Sequence, residues 1–136
     1  MRRYKFTPPL NSERTSFDIS PDELKRKIDG QAIISIDVDK FKPINDNHGH
    51  AAGDKVLRDI ARILKETIRP QDEAYRTGGD EFTVVLAIDN AKMVKDIAYR
   101  LQKKLDDSHQ HRLQQGLVSA TATVGFAIVN LSLIHI

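Results

Sequence analysis

The chain has 136 residues, 40% hydrophobic and 29% charged, with 21 Lys plus Arg against 19 Asp plus Glu. That is one domain's length with enough apolar side chains for a core, and the balanced charge leaves no basic footprint for nucleic acid or an anionic membrane. The lack of cysteine excludes a disulfide framework and a thiolate metal site. No apolar run approaches the roughly 18 residues of a membrane span, and Thr7-Pro8-Pro9 stands where a secretory signal would be apolar, so a cytoplasmic domain is expected.

Residues 1 to about 20 have few periodic apolar positions and read as a loose lead-in. Ser20-Pro21-Asp22-Glu23 combines a capping Ser, a Pro at the first helical position and an acid three residues after the cap. A short helix is expected from there to Asp29-Gly30. Ala32–Val38 is rich in β-branched residues and predicts a buried strand ending in carboxylates. From Gly53, the spacing of Val56, Leu57, Ile60, Ala61, Leu64 and Ile68 predicts an amphipathic helix that Pro70 ends. Two short strands, Ala74–Thr77 and Glu81–Leu86, flank Gly78-Gly79-Asp80 as a hairpin. Asn90 caps a second helix with Val94, Ile97, Ala98, Leu101 and Leu105 on its apolar stripe. Ser108-His109-Gln110-His111 reads as loop, and Val118–Val129 as a last strand. Strand, helix, hairpin, helix, strand predicts an α/β sandwich with one sheet covered by two long helices.

Two clusters carry chemistry. Asp37-Val38-Asp39 closes the first strand with hard oxygen ligands of the kind that hold Mg²⁺ together with substrate phosphates. An EF-hand reading fails, because Lys42 and His48 stand where that loop needs Gly and Glu. Gly78-Gly79-Asp80-Glu81-Phe82 places two acids after a diglycine bend, where positive φ is expected and a ligand can approach the main chain. Each cluster alone could be a solvated strand end or turn. If the first strand lies beside the hairpin, Asp37 and Asp80 converge on one sheet edge. Lys42, Asn45, His50 and Asp54 then add a cation, an amide, an imidazole and an acid able to read a base, and an Asp beside an Asn would favour guanine over adenine.

The run Asp37-Val-Asp-Lys-Phe-Lys-Pro-Ile-Asn-Asp-Asn-His-Gly-His-Ala-Ala-Gly-Asp54, followed by Arg76-Thr-Gly-Gly-Asp-Glu-Phe82, resembles the GGDEF family of diguanylate cyclases from about Ala32 to Ile128. The resemblance implies an α/β (α+β) fold, a nucleotidyl-cyclase or palm-like ferredoxin-type βααββαβ sheet covered by helices. It implies condensation of two GTP into cyclic di-GMP with release of two pyrophosphates, using two Mg²⁺ (or Mn²⁺) per active site and a homodimer. By position, Asp37, Val38 and Asp80 fall on metal ligands, and Asp80 and Glu81 on catalytic acids. Lys42, Asn45, His50, Asp54, Gly78 and Gly79 fall on substrate-binding positions. Arg69-Pro70-Gln71-Asp72 matches the family's inhibitory product site, which Arg100 could complete, with cyclic di-GMP as product and possible inhibitor. An Arg near a helix end beside an exposed Asp is the simpler reading of that turn.

The chain departs from the family at both ends. The Asp-x-Leu-Thr-Gly-Leu-x-Asn-Arg turn is missing before Ala32, so residues 1–30 read as a lead-in and 31–130 as the domain, without the family's last helix and its Lys and Arg. Residues 131–136 read as a tail foreign to it. The alternative function is a non-catalytic module that binds GTP or cyclic di-GMP.

Overall fold

The structure, a computed structural model, describes residues 32–87 and 90–128, together with the main chain of two short strands, β1 (Tyr4–Phe6) and β2 (Phe17–Ile19). β1 and β2 pair antiparallel, Tyr4 opposite Ile19, within the stretch expected to be a loose lead-in. The helix expected at Ser20–Gly30 lies outside the described residues.

The β-branched run forms β3 (Ala32–Val38), the spine of a four-stranded antiparallel sheet ordered β4-β5-β3-β6. The hairpin supplies β4 (Glu73–Arg76) and β5 (Glu81–Leu86), and β6 (Ala122–Ile128) pairs along the other side of β3. The side chains of Ala32, Ile34, Ile36 and Val38 alternate onto one face and are buried, as are Phe82, Val84 and Leu86 beside them. Two long helices cover that face. α2 (His50–Thr67) buries Val56, Leu57, Ile60, Ile63 and Leu64, and α3 (Ala91–Gln114) buries Val94, Ile97, Ala98, Leu101 and Leu105. With the short α1 (Phe41–His48), the order from residue 32 is βααββαβ, the arrangement that the resemblance implies.

α1 escapes periodicity because it is eight residues long and turns only Phe41 and Ile44, both partly buried, toward the core, too few to set a period. Pro43 is tolerated there because it lies in the first turn, where the N–H has no intrahelical partner. Gly49 separates α1 from α2 with φ of 86°, in the region that only glycine adopts freely, and its N–H closes α1 on the Asn45 carbonyl at 2.9 Å.

Two expectations are corrected at α3 and β6. Ser108–His111 is helical, because its polar side chains have partners: Ser108 Oγ donates to Asp59 Oδ2 of α2 at 2.9 Å, and His109 Nδ1 meets Ser119 Oγ at 3.0 Å. The last strand starts at Ala122, four residues later than the apolar run suggested, since Val118 is occupied in capping: its carbonyl accepts from the Arg112 guanidinium at 2.9 Å.

On the outer side of β6 the Gln102 side chain acts as a short piece of strand. Its Nε2 donates to the Ala122 carbonyl at 2.9 Å, and its Oε1 accepts from the Val124 N–H at 3.2 Å. Gln102→Ala leaves both groups without their partner and is expected to cost about 1–3 kcal/mol, measured as a lower urea midpoint at unchanged slope.

Candidate active site

The two acidic clusters meet at the end of β3. Asp37 stands opposite Glu81 of β5 on one side and Thr123 of β6 on the other, and the Val38 N–H donates to the Asp80 carbonyl at 2.9 Å. The first motif and the diglycine bend therefore share one sheet edge, on the face away from the long helices. It is Glu81, directly across the ladder, that abuts the Asp37 carboxyl; Asp80 joins through its main chain, with its side chain exposed. Partial desolvation of this otherwise exposed side chain, then the negative charges of Glu81, Asp80 and Asp39, push the Asp37 carboxyl above its ordinary value.

Asp39 is engaged by β6. It has left the strand, and its two oxygens accept from the hydroxyls of Thr121 and Thr123 at 2.8 Å each, while its N–H donates to the Thr121 carbonyl. This clamp holds the β3–α1 turn, where Lys40 takes a left-handed conformation (φ 53°, ψ 40°) that costs a non-glycine residue about 1 kcal/mol or more.

The diglycine bend is held from outside. Arg76 donates to the carbonyls of Gly78 and Gly79 at 3.2 and 2.8 Å, and the Thr77 hydroxyl donates to Glu81 Oε1 at 2.7 Å. Neither Gly78 nor Gly79 adopts the expected positive φ. A Cβ on Gly79 would meet nothing within 4 Å, so these glycines leave an open approach to the main chain. Spacing gives Arg76 and Thr77 no role of their own; the geometry makes them braces of the bend.

Lys42 and Asn45 lie on α1, three residues apart and hence on one face, and His50 and Asp54 open α2. Lys42, His50 and Asp54 are exposed, while Asn45 is half-buried against Gly53. That contact sets Asn45 against the residue that precedes Asp54.

The donors offered to a cation are Asp37, Glu81 and main-chain carbonyls, all hard oxygen, and among the described residues no Lys or Arg forms an ion pair with these acids. No three acidic or histidine side chains among the described residues converge as a ready-made ligand set. Two carboxylates that crowd each other without a cation fit Mg²⁺, which typically takes one or two carboxylates and draws its other ligands from substrate phosphates and water.

The Arg69–Asp72 turn lies outside this group. Asp72 is fully buried, contrary to the exposed acid of the simpler reading, and accepts from Arg69 Nε at 2.8 Å, Arg69 Nη2 at 2.8 Å, the Arg69 N–H at 3.0 Å and the Ala87 N–H at 3.2 Å. Arg69 is partly exposed and touches α3 at Met93 Sδ, seven residues before Arg100.

Comparison with known proteins agrees with this architecture. The family model "Diguanylate cyclase, GGDEF domain" matches residues 14–132, and the chain belongs to the GGDEF family. Diguanylate cyclase A of Treponema denticola is 45% identical over 76 residues, 56% of this chain and 20% of that protein. The probable diguanylate cyclase DgcE of Escherichia coli is 41% identical over 78 residues, 57% of this chain and 7% of that protein. The chain thus spans a fifth or less of these two relatives. Among solved structures, the GGDEF domain of YfiN from Pseudomonas aeruginosa is 36% identical with a TM-score of 0.62, covering 84% of this chain and 69% of that one. The active GGEEF domain of a diguanylate cyclase from Vibrio cholerae is 28% identical with a TM-score of 0.62, covering 77% and 65%. Among the described residues no helix is long and apolar enough to cross a membrane.

Proposed function

We propose that this domain is a diguanylate cyclase module that holds one GTP per protomer and joins two of them into cyclic di-GMP. The observation that carries the reading is the junction at the end of β3, where the Val38 N–H bonds the Asp80 carbonyl and Asp37 faces Glu81. Asp37, Glu81 and the Val38 carbonyl would hold Mg²⁺ or Mn²⁺, two ions per site, with Asp80 contributing from the bend. Such ions supply charge neutralisation at the phosphates and lower the cost of ionising the ribose hydroxyl. Lys42 and the main chain after Asp39 hold triphosphate, His50 lies at its rim, Gly78 and Gly79 leave room for it, and Asn45 with Asp54 reads the base.

Each GTP 3′-oxygen attacks the other's α-phosphorus. The new O–P bond forms as the bond to the bridging α–β oxygen breaks, pyrophosphate leaves, and the 3′ proton passes toward the Glu81 carboxylate. Because the product is two-fold symmetric, two protomers face each other as a C2 homodimer. The site is placed in the cytoplasm, where GTP is available. The Arg69–Asp72 turn, with Arg100 on α3, is read as a product-binding site in which Asp72 braces Arg69 and the guanidinium faces the ligand.

Incubation of the chain with GTP and Mg²⁺ tests the reading. Two pyrophosphates are expected per cyclic di-GMP, at a specific activity that rises with protein concentration. Binding of GTP or cyclic di-GMP without pyrophosphate release would assign a binding module instead, and binding of neither would overturn both.

A further inference from the structure

We propose that Thr77, backed by Thr83, is a positioning residue that ties up one oxygen of the Glu81 carboxylate and reserves the other for a divalent cation, biasing the site toward Mg²⁺ over Ca²⁺. The inference rests on the metal-dependent nucleotide reading above. Thr77 follows β4 directly and stays in register with β5, its N–H donating to the Glu81 carbonyl at 3.0 Å. Thr77, Glu81, Asp37 and Thr123 therefore stand in one row across the sheet, with the two acids in the middle. The Thr77 hydroxyl lies 2.7 Å from Glu81 Oε1 and 3.0 Å from Thr83 Oγ1.

Proton counting fixes the direction of both bonds. An ionised carboxylate only accepts, so the single Thr77 hydroxyl proton goes to Oε1, and Thr83 supplies the proton of the second bond. The relay runs from Thr83 to Thr77 to Glu81, each bond polarising the next, and both threonines are β-branched and stiff at χ1. Oε1 is thereby held on the β4 side. Oε2 is left on the side away from Thr77, and the neighbour across the ladder there is Asp37. A carboxylate held this way offers a cation one oxygen. That suits Mg²⁺, which demands near-octahedral geometry, whereas Ca²⁺ readily takes both oxygens of one carboxylate and loses that option here.

The test reads metal binding and needs no turnover. The full chain, in excess over the α,β-methylene analogue of GTP, is titrated with Mn²⁺, the EPR-visible stand-in for Mg²⁺, and the bound Mn²⁺ is then displaced with Ca²⁺. Thr77→Val keeps the shape and removes the donor. Its Mn²⁺ affinity is expected to fall about tenfold, the lower end of what losing a hydrogen bond behind a metal ligand costs, and its Ca²⁺ affinity much less. Thr77→Ser returns the hydroxyl and should return both values. Should Thr77→Val fail to fold, Thr83→Val, which removes only the bond behind Thr77, decides by a smaller shift of the same sign. Unchanged affinities, equal losses for the two ions, or a Thr77→Ser as weak as Thr77→Val would leave Thr77 a brace of the bend alone and overturn the inference while the nucleotide reading stands. A wild-type chain that binds no analogue overturns both.

Discussion

Asp37→Asn is expected to reduce pyrophosphate release from GTP on the order of 10³-fold, with the fold unchanged. The side chain is exposed on the face away from the helices, so the substitution opens no cavity. What changes is charge. Asp37 and Glu81 face each other across the ladder with no cationic ion-pair partner among the described residues, and an amide ligates Mg²⁺ weakly where a carboxylate ligates it well. Loss of one such group from a phosphoryl-transfer site typically costs 10² to 10³ or more in turnover. Two measurements check this: the initial rate of pyrophosphate release, and the Mn²⁺ affinity of the GTP-bound chain, which should fall in parallel. Glu81→Gln should match it, whereas Asp39→Asn, which keeps one oxygen for the Thr121 and Thr123 hydroxyls, should cost far less. Equal losses at Asp37 and Asp39 would mean that the turn, not the carboxylate pair, sets the rate.

Asp72→Ala carries the largest expected effect on stability, about 3–5 kcal/mol and a melting temperature lower by roughly 10–20 °C. Its carboxyl is fully buried, and its removal strands the Ala87 N–H and the Arg69 guanidinium that it holds. Burial pushes this carboxyl up, but the hydrogen bonds from the Arg69 side chain, the Arg69 N–H and the Ala87 N–H outweigh it and hold it below its ordinary value. A carboxyl depressed in the folded state contributes stability that is present above its unfolded value, near 3.9, and is lost as pH falls through the folded one. Wild-type stability should therefore decline below about pH 4, and Asp72→Asn, already destabilised at neutral pH, should show a shallower acid limb. Thermal melts between pH 2.5 and 7 measure both.

Much of the fold is legible in the sequence because burial imposes a period. β3, β5 and the apolar stripes of α2 and α3 each alternate or recur as their buried faces require. An element too short to repeat its core-facing positions is not legible this way, as α1 illustrates, and neither is a helix end such as Ser108–His111 whose polar side chains find partners in other elements. At the site, the residue types and their spacing point to an acidic nucleotide pocket. The choice of which acid meets Asp37 depends on strand register, which spacing does not encode; Asp37 lies across from Glu81, one position beyond Asp80. The burial of Asp72 is equally hidden, since it depends on Ala87, fifteen residues away at the far end of β5.

The Gln102 clip reaches β6 only as far as Val124, and the strand runs on through Phe126 and Ile128, which lie about half exposed. Fastening at one end only makes the strand's stability graded along its length. Amide protons near Ala122–Val124 should exchange with solvent at rates close to those of global unfolding, and those toward Ile128 much faster, through local peeling of the strand tip from β3.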